Sequence, residues 1–283
     1  MRLESPNTEV NGRTMRLKSK AFELHLELLD DNFVRTPRDS QRRLLLQRAV
    51  GELACDLEAL NRTACSMVRA GDRPAISEEW ETGPAHYSDT ELLIDGQQVM
   101  QAWEQPLMEA LAGAAAESHG DVLEVGFGMG ISATFLQERG IRSHTIIECN
   151  RDVQRRFEEW RRQYPAADIR MIESKWQDWD APESAFDSVL FDTYPTTEEE
   201  MLEAIEGGPI FAARFFPTAV RVLKRGGVFT YYSDEIDSLS REHQGLLLRH
   251  FRSFSVSVVR GLRPPQDCQY WWADTMALVQ AVK

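Results

Sequence analysis

A chain of 283 residues that is 42% apolar is long enough for one large domain, or one domain with an appendage, and can bury a substantial core. Its 45 acidic and 32 basic residues leave a net charge of −13, which repels a phosphate backbone, and no basic patch offsets it, so nucleic acid is not an expected partner. The four cysteines (Cys55, Cys65, Cys149, Cys268) lack paired metal-ligand spacing, the opening MRLESPNTEV has no signal-peptide core, and no run of about 18 apolar residues occurs. A reduced, cytoplasmic setting without metal or membrane anchor is the expectation.

The first elements are helical. Ala21–Leu29 is amphipathic, and Thr36-Pro37-Arg38-Asp39 combines an N-cap, a first-turn proline and an acid. The helix that follows carries Leu46, Val50, Leu53, Leu57 and Leu60 at steps of four and three. That stripe suits packing on its own chain, a homodimer contact or a cover over a substrate site, and the spacing leaves the three open. Gly71-Asp72-Arg73-Pro74 reads as a linker, so residues 1–70 form a helical extension and 71–283 the main domain. From Gly120, short β-rich runs at Val122–Val125, Thr145–Cys149, Ile169–Ile172, Ser188–Phe191, Val228–Tyr232, Ser255–Val259 and Met276–Val282 alternate with helical patterns at Ile131–Glu138, Asp152–Tyr164, Phe211–Leu223 and Arg241–Phe251. This is an α/β, doubly wound, mostly parallel sheet. The last two strands have no helix between them and predict an antiparallel edge hairpin.

Ligands in such sheets bind beyond the carboxyl ends of the strands, and the motifs collect there. Val122–Val125 runs into Gly126, Gly128 and Gly130, where the backbone can approach a ligand and the next helix presents free N–H groups. A dinucleotide fingerprint wants a sixth-position glycine, and Ile131 stands there. G-x-G-x-G preceded by an acid, here Glu124, is instead the pattern of S-adenosylmethionine (SAM) methyltransferases. Glu148 ends the second strand about 20 residues on, where a carboxylate accepts both hydroxyls of a ribose. Trp176 is placed to stack on adenine, with Gln177 or Asp178 meeting its amine; a core role for Trp176 is equally consistent. The fourth strand delivers Asp192 and Tyr194 to the rim. Asp192 is the candidate base.

Several strings in order resemble guanidinoacetate N-methyltransferase and its arginine-methylating relatives: Trp103-Glu104-Gln105-Pro106, Leu123 to Met129, Ile146 to Asn150, Asp192-Thr193-Tyr194-Pro195, Leu223 to Val228 and Pro264 to Tyr270. The resemblance runs from about Trp80 to the C-terminus and implies a Rossmann-like class I methyltransferase fold with SAM as cofactor. It implies that Glu104 and Asp192 hold a guanidino group, a planar, always charged fork of donors that paired carboxylates match. It also places Trp80 and Tyr87 in a lid over the cofactor, with Met108 and Gly126 near its methionine part. Tyr270, Trp271 and Trp272 of the last hairpin suit the lining of a substrate pocket, and a core cluster is equally consistent.

In the guanidinoacetate enzymes, backbone amides beside a Leu-Thr pair after the fifth strand meet the substrate carboxylate. Here Ser233-Asp234-Glu235 stands there, with Asp237 close behind. Acids repel a carboxylate and attract an α-ammonium, so free L-arginine is the expected substrate, with the internal δ nitrogen as the expected position, and guanidinoacetate is the alternative. A non-catalytic methyltransferase-like scaffold is the reading from another class, and retention of both Glu104 and Asp192 argues against it.

Overall fold

The computed structural model describes residues 75–77, 79–205, 210–233, 235 and 237–283. The N-terminal helical pair, its stripe and the linker lie outside the described residues. The described chain opens with a small antiparallel sheet of β1 (Ala85–Tyr87), β2 (Glu91–Ile94) and β3 (Gln97–Gln101). Helix α1 (Gln105–Ala116) follows, and then the main sheet and its helices: β4 (Asp121–Val125), α2 (Ile131–Glu138), β5 (Ser143–Glu148), α3 (Arg151–Arg161), β6 (Ile169–Glu173), β7 (Phe186–Phe191), α4 (Glu198–Ile205), α5 (Phe216–Val222), β8 (Leu223–Ser233), α6 (Arg241–His250), β9 (Ser253–Arg260) and β10 (Thr275–Val282).

The seven-stranded sheet has the order β6-β5-β4-β7-β8-β10-β9, with the first five strands parallel and β10 antiparallel to both its neighbours. The expected hairpin is therefore present, and its second strand lies inside the first. Alternate residues divide the core between the two faces. Val122, Ile146 and Leu190 join Leu107, Leu111 and Phe157 on one side. Leu123, Ile147 and Phe191 join Phe215, Phe216 and Leu247 on the other. Both faces are covered, which is why the central strands read as continuous apolar runs.

Sequence patterns place every main-sheet strand. The segment expected as one helix over Phe211–Leu223 is a 3₁₀ turn at Phe211–Phe215 followed by α5, because Pro217 lacks the N–H that would continue the first turn and instead suits a helix start. Helices α1 and α4 and the small sheet are not in the sequence reading. Helix α1 was nevertheless legible: Leu107, Met108, Leu111, Ala112 and Ala115 are fully buried at helical spacing. Among the described residues no helix is long and apolar enough to cross a membrane.

Candidate active site

Strand order reverses between β4 and β7, the switch point beyond whose carboxyl ends sheets of this kind bind their ligands. At that point Gly126 takes φ +92°, and a Cβ there would lie 1.9 Å from the Asp192 carbonyl oxygen. Only glycine lets the turn after β4 press against the turn after β7. Beside it, Gly128 takes φ +53° and faces the Met100 sulfur, which accepts the Met129 N–H at 3.3 Å. Gly130 is the N-cap of α2. The three glycines thus form one turn, closed from above by the small sheet. Tyr87 donates its hydroxyl to the Gly128 carbonyl at 3.0 Å.

Glu148 points from the end of β5 into this turn. Its carboxylate accepts the Phe127 N–H at 3.1 Å and the Asn150 N–H at 2.8 Å. Burial raises its pKa against those hydrogen bonds. Asn150 fastens the lid: its oxygen caps α3 at Asp152 and Val153, and its amide donates to the Trp80 and Gly83 carbonyls at 2.8 and 2.9 Å. Trp80 is buried and stacks on Tyr194 with ring centroids 5.6 Å apart. The two residues drawn from distant motifs are neighbours.

Glu104 and Asp192 form the acidic centre. Glu104 is 5% exposed, and one of its oxygens accepts both the Gln101 N–H at 2.7 Å and the Tyr270 hydroxyl at 2.5 Å. Burial pushes its carboxyl up to about 7 despite those donors. Asp192 is held well above the carboxylate range by burial, then by the charges of Glu104 and Glu124. Among the described residues no hydrogen bond or ion pair engages its carboxyl. Glu104 is buried and Asp192 half-buried, and no cation among the described residues balances them, an arrangement that favours protonation or a cationic ligand.

Other predicted residues have different surroundings. Glu124 lies fully buried beneath the turn, accepting the Ser132 hydroxyl, with its second oxygen 2.9 Å from His144 Nε2 in an approach that lacks hydrogen-bond geometry. It braces α2 against β5. Met108 is fully buried in α1. Trp176 stands edge-on to Phe191 and Phe215, with its indole N–H buried and unpartnered, and exposed Gln177 donates to Glu200 at 3.0 Å.

The acid loop needs a correction. Glu235 is buried and turned inward, accepting the Ser240 N–H at 3.0 Å and bonding His243 Nδ1 at 2.8 Å, while His243 Nε2 meets the Tyr231 hydroxyl at 2.6 Å. Burial works to raise its pKa, but His243 and Ser240 outweigh it and hold it low. A carboxylate committed in this way to the start of α6 is not available to a substrate ammonium. Ser233 is likewise buried, accepting the Glu235 N–H. Asp234 lies outside the described residues.

The sheet order, the glycine turn at the switch point and the acid ending β5 define a class I SAM-dependent methyltransferase. The residues fit that cofactor: the turn admits no Cβ at Gly126, and Glu148 already accepts hydrogen bonds at the strand end where a ribose diol would lie. Two spermidine synthase crystal structures, one from Thermotoga maritima and one in complex with the transition-state analogue AdoDATO, share the fold at TM-scores of 0.50 and 0.51, with 15% and 14% identity over 70% of this chain and 72% of theirs. The guanidinoacetate N-methyltransferase family model matches residues 68–283, and the chain belongs to that family. Among its relatives are the proteins named protein arginine N-methyltransferase 2 of Candida glabrata, 28% identical over 52% of this chain and 35% of that protein, and of Yarrowia lipolytica, 31% identical over 51% and 30%. The chain spans about a third of the length of these curated relatives.

Proposed function

We propose that this chain transfers the methyl group of SAM to a guanidino nitrogen of arginine, with free L-arginine as the substrate and the δ nitrogen as the position. The observation that carries the reading is the pairing of buried Glu104 with half-buried Asp192, with no balancing cation among the described residues. A guanidinium supplies the missing positive charge and a planar set of donors for two carboxylates. The family model is named for guanidinoacetate and the relatives for protein arginine, so they support a guanidino group as the acceptor, while the choice of free arginine rests on the acids of this chain. Support for a free amino acid now rests on Asp234 and on exposed Asp237, because Glu235 is engaged elsewhere.

SAM supplies an electrophilic methyl on a sulfonium. Glu104 and Asp192 hold the guanidinium in line with it, contributing proximity and orientation. Methylation of an already cationic group adds a second charge, which is relieved when one N–H proton passes to Asp192. Burial and its acidic neighbours raise the proton affinity of that carboxyl, which suits it to the task.

The test is methyl transfer from SAM to arginine, guanidinoacetate and an arginine-containing peptide, offered separately, with fragmentation of the product to locate the methyl. Asp192→Asn should lower turnover by about 10²–10⁴ while SAM still binds. Methylation of the peptide or of guanidinoacetate alone would overturn the free-arginine reading. SAM binding without turnover on any guanidine would favour a scaffold.

A further inference from the structure

Strand β3 buries Gln97, Gln98 and Gln101. A buried amide is costly unless both of its ends are bonded. Gln98 bonds both ends to one remote segment: its Nε2 donates to the Asp267 carbonyl at 3.2 Å, and its Oε1 accepts the Gln269 N–H at 2.8 Å. The segment is the loop between β9 and β10. Its own backbone bonds join Leu262 to Asp274 and Cys268 to Pro265, and the Gln269 N–H goes to the Gln98 side chain. The next residue, Tyr270, donates to Glu104 at 2.5 Å and stacks on Trp103 with centroids 6.0 Å apart. Trp103 in turn donates its indole N–H to the Gln101 side chain at 2.8 Å, and the Gln101 N–H reaches Glu104 at 2.7 Å. The circuit from β3 to the loop, to Glu104 and back to β3 is closed.

We propose that Gln98 is a positioning residue: its two-ended amide clamp holds the loop so that Tyr270 donates to Glu104 and sets that carboxylate for the guanidinium. This rests on the function proposed above. Gln98 is remote from the reacting atoms and acts through Tyr270. The groups that face this carboxyl are Tyr270 from the loop and Asp192 from the turn after β7, with Cys268 and Tyr232 behind the phenol. A phenol donating to a carboxylate favours its charged form, so a displaced Tyr270 leaves Glu104 protonated to higher pH.

The experiment uses Gln98→Met, which keeps the length and apolar bulk without the amide, together with Tyr270→Phe and the double variant, all in the full chain. On the guanidine that wild type methylates, the acid limb of kcat/KM should move up by about one pH unit. KM for the guanidine at neutral pH should rise about tenfold, with SAM affinity unchanged and kcat retained at high pH. Tyr270→Phe should move the limb equally, and the double variant no further. An unmoved limb in Gln98→Met, or additive shifts, would overturn the proposal. The pH dependence of unfolding without substrate gives an independent reading. If wild type methylates no guanidine, the functional reading fails, yet an upward move of the Glu104 titration in both single variants sustains the clamp and an unmoved one refutes it.

Discussion

Replacing Glu104 with Gln should make the substrate-free protein more stable at neutral and alkaline pH while abolishing its activity. The Glu104 carboxyl rises from an ordinary value of 4.5 to about 7 because burial opposes its charge. At about 1.4 kcal/mol per unit, the native state loses on the order of 3 kcal/mol by ionising this group. The native state holds the proton more tightly than the unfolded chain, so stability is greatest below about 4.5, falls as pH rises through the window up to about 7, and is level above it. Gln keeps the oxygen that accepts from Tyr270 and Gln101 but cannot ionise, so its profile should lack that fall. It also removes a negative neighbour of Asp192. Urea unfolding of both proteins from pH 5 to 8 would show curves that meet at low pH and diverge by about 1–3 kcal/mol at pH 8 in favour of Gln. Equal or lower stability of the variant at pH 8 would mean that Glu104 is hydrated or paired with a cation, and the reading of this acid as a partner for a guanidinium would fail with it.

The same physics makes substrate binding release protons. A guanidinium between Glu104 and Asp192 favours their charged forms, so titration calorimetry near pH 7 should give a binding heat that varies with buffer ionisation enthalpy, and affinity should rise with pH; a buffer-independent heat would refute this. Glu148→Gln keeps an acceptor for Phe127 but loses the charge, and SAM affinity should fall about tenfold or more by equilibrium binding. Gly126→Ala places a methyl 1.9 Å from the Asp192 carbonyl at a φ that disfavours any side chain. Thermal unfolding should show a loss of at least about 1–3 kcal/mol, with activity falling as Asp192 moves, and wild-type behaviour would exclude that contact.

The sheet was legible because its strands are buried on both faces and read as apolar runs between turns. The positions of Glu148 and Asp192 at the ends of β5 and β7 were legible because strand ends carry position directly, while Glu104 entered through the family resemblance alone. What escaped was set by tertiary contact. The inward turn of Glu235 depends on His243, eight residues on, bringing its ring back against the carboxylate. Nothing in the string Ser233-Asp234-Glu235 distinguishes a helix-binding acid from a substrate-binding one. Gln98 was invisible for a similar reason, since its partners lie about 170 residues away. Asn150 was within reach, standing between a strand and the acid-rich start of a helix where a cap is expected.

The backbone on either side of Asp192 ties the candidate site into the sheet. The Asp192 N–H donates to the Val125 carbonyl at 3.0 Å, and the Gly126 N–H donates to the Ile147 carbonyl at 2.9 Å. The glycine turn, the turn that carries Asp192 and the strand that carries Glu148 therefore continue one hydrogen-bonded ladder across β7, β4 and β5. Rigid elements of this kind hold a constellation more narrowly than loops do. The parts that cover the site are tied down largely by side chains: Tyr87 reaches the Gly128 carbonyl, Asn150 the segment before β1, and Gln98 joins the small sheet to the β9–β10 loop.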